Sequence, residues 1–230
     1  MKRDELEKRI LISITGKNNN EWKFKLKDIN KRKIKRIALF LSQFNKKQRE
    51  EIYSALQESC VKEIPFVHAR DDMRLEEYNF LIKEFKTRYF NLHERDFPLK
   101  KELKPIYRKL TLEMNFDDKL NKRVNLKQIA GFCIDLSHFK ASQERWTKDF
   151  LFVLKNKNKT KFLCNHLNGY SYQRRRDLHK PSKKSHFNYL KTLPKFLFGK
   201  YIALEMQVSV KKQLEFKKHI IELLINKCKI

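Results

Sequence analysis

The stretch IPFVHARDDMRLEEYNFLIKEFKTRYFNLH, residues 64–93, decides the fold. It opens on a short apolar and aromatic run, IPFVHA, and closes on another, YFNLH, both of the length and composition of buried strands. Between them Leu75, Tyr78, Leu81, Ile82 and Phe85 recur at helical spacing, which predicts an amphipathic helix over 75–85. A strand, a helix and a strand in that order imply two parallel strands, since the helix carries the chain back to the edge where the first strand began.

The same alternation runs outward in both directions. Strands are expected at 10–15, 37–42, 64–69, 89–93, 110–114, 132–136, 162–166 and 201–205, and further helices at 47–60, 146–154 and 210–225. The segments 115–130 and 168–184 lack helical spacing and are expected to be irregular loops that carry function. Eight strand–helix units in 230 residues average about 29 each, close to the roughly 31 of a (β/α)8 barrel. An open doubly wound sheet is the competitor, but no glycine-rich turn follows the first strand, where Gly16 stands alone. The expectation is α/β: a compact single-domain TIM barrel over 1–230.

Composition narrows the class further. There are 54 Lys and Arg against 27 Asp and Glu, a net charge of +27, yet 18 Phe, 8 Tyr and 2 Trp supply more aromatic surface than a disordered chain would carry. No apolar run approaches the roughly 18 residues of a membrane span, and the opening MKRDELEKR lacks the apolar segment of a secretory signal. A cytoplasmic protein without a membrane partner is expected. Cys60, Cys133, Cys164 and Cys228 stand far apart and read as small buried hydrophobes of a reducing compartment. The positive surplus favours a polyanionic partner such as nucleic acid.

The strand ends carry the chemistry. The third strand ends on His68 and the fourth on His93; the fifth ends on Glu113, the sixth on Asp135 and His138, the seventh on His166 and the eighth on Glu205. In a parallel barrel these edges meet at one rim. Asp177 and His179 follow in the loop RRRDLHK with the i, i+2 spacing that lets both reach one ion from an extended segment. Imidazoles with carboxylates are the ligand set of zinc and related divalent ions. His186 and His219 fall outside this set, on helical stretches. Gathering nine such groups without a cation would be costly, so a metal site is expected.

The strings VHA (67–69), LEMN (112–115), CIDLSHF (133–139), HLN (166–168), DLH (177–179) and LEM (204–206) resemble the endonuclease IV family of the xylose-isomerase-like barrels. The resemblance spans 68–205 and implies up to three zinc ions. His68 and His93 would hold one, with Glu113 bridging to a second that also takes Asp135, His166 and Glu205; His138, Asp177 and His179 would hold the third. It implies hydrolysis of a phosphodiester in DNA at abasic sites, in DNA repair, with Glu113 and Glu205 in the catalytic set. The chain departs from the family after Ala69, where Arg70, Asp71 and Asp72 replace a Pro-Tyr pair, and after His179, where Lys180, Pro181 and Ser182 replace a glycine-rich segment.

Basic residues crowd the same edge. Arg70, Arg174, Arg175, Arg176 and Lys180, interleaved with Tyr170 and Tyr172, are expected to form a groove for DNA, arginine for phosphates and tyrosine for exposed bases. Two other readings stand beside the hydrolase. A sugar isomerase or epimerase of the same superfamily would need only Glu113, Asp135, His166 and Glu205 around a single Mn, Mg or Co ion. A basic nucleic-acid-binding protein would need no ion at all.

Overall fold

The computed structural model describes residues 2–16 and 19–227; Cys228 lies outside them. The strands are β1 (Ile10–Leu11), β2 (Ser13–Ile14), β3 (Arg36–Phe40), β4 (Glu63–His68), β5 (Tyr89–His93), β6 (Leu110–Glu113), β7 (Gly131–Asp135), β8 (Phe162–Leu167), β9 (Gly169–Ser171), β10 (Arg176–Leu178) and β11 (Tyr201–Leu204). The helices are α1 (Arg3–Arg9), α2 (Asn19–Lys31), α3 (Lys46–Gln57), α4 (Leu75–Phe85), α5 (Leu136–Arg145), α6 (Lys148–Lys155) and α7 (Val210–Lys227).

Nine strand segments form one parallel sheet in the order β1-β11-β8-β7-β6-β5-β4-β3-β2. β1 and β2 are two halves of the expected first strand, parted at Ile12. One half pairs with β11 and the other with β3, so the ring closes through a strand divided between its two neighbours. The result is the expected barrel of eight strand positions. Side chains take over where the first strand breaks. Gln213 of α7, fully buried, accepts from the Ser13 N–H at 2.8 Å and donates to the Ser13 carbonyl at 3.0 Å. The buried Lys25 of α2 donates to the carbonyls of Thr15 and Met206, tying the end of the first strand to the segment after the last.

Period-two alternation divides the strands between two cores. Leu11, Ala38, Phe40, Phe66, Cys133, Cys164, Tyr201 and Ala203 fill the inside of the barrel. Their neighbours Ile37, Leu39, Val67, Phe132, Ile134 and Ile202 face outward into the layer between sheet and helices. In α4, Tyr78, Leu81 and Phe85 form the buried face, each contributing roughly 1.5–3 kcal/mol by leaving water. Cys133 and Cys164 stand in register on adjacent strands as buried free thiols, and burial pushes both thiol pKa values up.

The differences from expectation have local causes. The helix expected from residue 146 starts later, because Trp146 is the left-handed end of α5 (φ 53°) and Thr147 caps α6 through the Phe150 N–H. α5 was hidden from periodicity, since SHFKASQER mixes polar and apolar positions after the strand. The segment 168–184 is not wholly irregular: β9 and β10 pair as an antiparallel hairpin. Among the described residues no helix is long and apolar enough to cross a membrane.

Candidate metal centre

The inward faces of the strands lead directly to the site. Two residues beyond the interior-facing Phe66, Cys133, Cys164 and Ala203 come His68, Asp135, His166 and Glu205. Alternation therefore aims each of these side chains at the barrel axis, one step above the apolar filling. His93 and Glu113 stand in register on β5 and β6, as do Asp135 and His166 on β7 and β8. Phe40 packs beneath, its ring 4.9 Å from that of His166 and 5.6 Å from that of His68.

Glu113 is the hub. Its carboxylate lies 3.2 Å from His166 Nδ1, 3.8 Å from His68 Nε2 and 3.9 Å from His93 Nδ1, and it accepts from Asn91 Nδ2 at 2.5 Å. His166 Nδ1 is also 3.6 Å from Glu205. Asp135 divides its oxygens between two duties. Oδ1 caps α5 by accepting from the Ser137 and His138 N–H groups, each at 2.9 Å, while Oδ2 accepts from Asn168 Nδ2 at 2.9 Å.

Two triads of donors, His68 with Glu113 and His166, and Asp135 with His166 and Glu205, each lie within 4.8 Å of one another, in the range that one ion can bridge. Both ring nitrogens of His68 and the Nε2 of His166 are buried without a hydrogen-bond partner. Such orphaned donors are costly unless they coordinate something, so the residues present fit a divalent cation.

The remaining predicted donors form an outer group. His138 stands in the first turn of α5 rather than on the strand, 3.9 Å from Asp177 of β10. His179 is 3.1 Å from the other Asp177 oxygen, and its carbonyl accepts from the Gln207 N–H at 2.7 Å, which draws the hairpin over the mouth. His186 and His219 lie on a short 3-10 segment and on α7, away from this cluster.

The electrostatics follow from crowding. Burial, with His166 and His93 nearby, holds the His68 pKa well below its usual value, against the opposing pull of Glu113. Burial also works against the charged form of His166, but Glu113, Glu205 and Asp135 overcome it and raise the pKa to about 9. Glu113 is held well below the ordinary carboxylate range: burial opposes ionisation, and His166, His93 and His68 outweigh it. Glu205 is pushed up by burial and by Asp135 and Glu113. His138 is raised because Asp135 and Asp177 outweigh its burial.

Two cavities open beside the cluster. One of about 210 Å³ is lined by Thr15, Phe40, Gln43, His179, Glu205 and Gln207 among others. The second, about 260 Å³, shares Ser42 and Gln43 with it and adds Arg70, Asp71, His93, Arg95 and Asp96. Asn91 and Asn168 were missed in the sequence although the signal was there. Each lies two residues from a donor, His93 or His166, on the same face.

The basic set is placed less uniformly. Arg70 lines the mouth, with Nε 3.5 Å from Asp72. Arg174 and Arg175 form the tip of the β9–β10 hairpin, and Arg176 and Lys180 are exposed beside it. Tyr172 is 51% exposed. Tyr170 does not fit the expected role, since it is fully buried and its hydroxyl donates to Glu144 at 2.7 Å, leaving no face for a base. The Tyr189 ring, 5.6 Å from its own, packs against it on the inner side.

No family model matches the chain, and no curated protein matches it. Among solved structures it is similar to the 4-hydroxy-2-oxoglutarate aldolase/2-deydro-3-deoxyphosphogluconate aldolase from TTHB1, at 9% identity over 97% of this chain and 99% of that one, with a TM-score of 0.44. That protein is by its title an aldolase. With no family model and no curated protein behind it, the endonuclease IV identification does not stand, and the abasic-site hydrolase, DNA-repair and sugar isomerase readings that followed from it are withdrawn. The physical reason lies in the strings that suggested them. Each is three to seven residues long, and any parallel barrel that gathers imidazoles and carboxylates at its mouth must place those types at its strand ends.

Proposed function

We propose that the chain is a metal-dependent enzyme acting on a small anionic substrate seated at the barrel mouth. Glu113, Asp135, His166 and Glu205, with His68 and His93, would hold a divalent cation of the zinc, manganese or cobalt class, and His138, Asp177 and His179 would offer a second, outer position. The observation that carries this reading is the buried convergence of the two donor triads together with the unpartnered nitrogens of His68 and His166. Such an ion supplies Lewis-acid polarisation of a substrate oxygen. The protein's own groups do the rest. Arg70 and Arg95 face the larger cavity and suit a carboxylate or phosphate. Phe40 closes the floor against water. Glu205 lines the smaller cavity, which brings the donor set to the edge of the space a substrate would enter.

The test is metal counting on the purified chain, followed by turnover assays on a panel of small phosphorylated and carboxylated compounds after chelation and after return of zinc, manganese or cobalt. At least one tightly held ion, and turnover that vanishes on chelation and returns with metal, are expected. Metal-free protein that turns over a substrate unaided would overturn the reading.

A further inference from the structure

One sizeable cavity stands away from the metal centre. It measures about 410 Å³ and lies at the other end of the barrel, walled by residues around the starts of β5, β6 and β8 and in the segment leading into β7. Four cations line it: Arg108, Lys127, Lys159 and Lys161. No acidic residue lines it, and among the described residues none of the four is paired with a carboxylate. In a chain with 27 acidic residues, four clustered and unpaired cations around one concavity concentrate positive potential there.

The lining is also two-sided in character. Tyr89, half-buried at the start of β5, shares the cavity with Leu126, Ile129 and Leu163, which give an apolar wall beside the charged one. The walls are fixed by backbone hydrogen bonds. The Ala130 N–H donates to the Leu110 carbonyl, and the Phe132 N–H to the Lys161 carbonyl, both at 2.8 Å. Gly131 allows the second approach, since a Cβ there would stand 2.3 Å from the Lys161 oxygen. Arg108 donates from one guanidinium nitrogen to the Ile129 carbonyl at 3.4 Å, which orients the fork and leaves its other nitrogens for a ligand.

We propose that this cavity binds a small phosphorylated molecule with a flat apolar part, a nucleoside phosphate in size and chemistry, at the end of the barrel opposite the metal centre. The four cations would take the phosphates and the Tyr89 wall the base. The volume falls in the range of about 300–1,000 Å³ that small-ligand pockets occupy, whereas a nucleic-acid strand needs an extended groove.

The experiment is titration of the full-length chain with a fluorescent nucleoside diphosphate at about 0.15 M salt, where exposed charges more than about 8 Å apart are screened. Two variants of equal charge are compared: Lys127→Glu with Lys161→Glu in the cavity, and Lys47→Glu with Lys83→Glu on the helices α3 and α4. Saturable binding is expected in wild type and in the helix variant, with a loss of about ten-fold or more in the cavity variant. Inorganic pyrophosphate is expected to compete. An equal loss in both variants would show that general charge alone binds the probe and would overturn the proposal, as would the absence of saturation. A short single-stranded oligonucleotide that binds through Lys127 and Lys161 and that the nucleotide cannot displace would overturn it in favour of nucleic acid. Both variants alter exposed side chains, and matching melting curves establish that each is folded.

Discussion

The imidazole rings of His68 and His166 lie 4.8 Å apart with planes 25° from parallel, and the same surroundings drive them to opposite charge states. His68 is held neutral by burial and by its histidine neighbours, while His166, beside Glu113 and Glu205, has its pKa raised to about 9. One ring of the stack is therefore ready to donate a lone pair, and the other must first give up a proton.

Metal uptake should thus be linked to pH. A cation needs a neutral imidazole, so its binding expels the His166 proton. The apparent affinity is expected to climb by about ten-fold per pH unit between 6.5 and about 9 and to level off above that. Calorimetry at pH near 7.5 in two buffers of different ionisation enthalpy should report about one proton released per ion. The metal-free protein should show the reverse trend in stability. A group whose folded pKa is raised contributes stability below its unfolded value and loses it as pH rises through the folded value, so unfolding should become easier between 6.5 and about 9. Flat profiles would remove His166 from the ligand set.

Replacing Glu113 with Gln keeps the shape and removes the charge that the three imidazoles face. Metal affinity should fall by ten-fold or more, on the order of 1.4 kcal/mol or above. The His166 pKa should drop toward or below its ordinary value as its nearest counter-charge is lost. Histidine ring resonances followed by NMR titration, with metal counting alongside, check both. Unchanged metal content would show that Glu113 is a structural acceptor for Asn91 only.

Arg49 shows a different kind of charge placement. It is fully buried on α3, donates to both carboxylate oxygens of Glu77, at 2.8 and 2.9 Å, and reaches Asp72 at 2.8 Å and the Phe44 carbonyl at 2.9 Å. Asp72 in turn lies against Arg70 at the mouth. Arg49→Met leaves Glu77 half-stranded, and removing one partner of a buried pair costs about 3–5 kcal/mol. For a domain of this size each kcal/mol lowers the melting temperature by roughly 2–4 °C, so a fall of about 6 °C or more is expected in a thermal scan.

The exposed arginines of the hairpin tip carry the expectation of DNA contact, and that expectation can be tested directly. Arg174, Arg175 and Arg176 changed together to Ser should flatten the salt dependence of binding to duplex DNA, because each lost phosphate contact lowers the slope by about 0.9. Fluorescence anisotropy between low and moderate salt gives the slope directly. An unchanged slope would mean that these arginines only solvate the turn.

The barrel was legible because period two survives at the places where it matters. Phe66 and His68, or Cys164 and His166, show the inward face changing from apolar filler to donor within a single strand. Chain distance hid what the hairpin does. Nothing near Asp177 in sequence says that His138, on another element, will lie 3.9 Å away. Tyr170 was misread for a related reason, since a tyrosine in a basic loop looks exposed until Glu144, on α5, is found holding its hydroxyl. The family identification failed because short strings at strand ends report the chemistry of the rim rather than ancestry.

The division of the first strand at Ile12 bears on how the molecule is made. Gln213, which serves both backbone groups of Ser13, sits on the helix that a ribosome would synthesise last among the described elements. The ring therefore resembles a bracelet whose clasp is threaded after every bead is strung. The brace across the divided strand is therefore complete only once the last described element has been made and has docked.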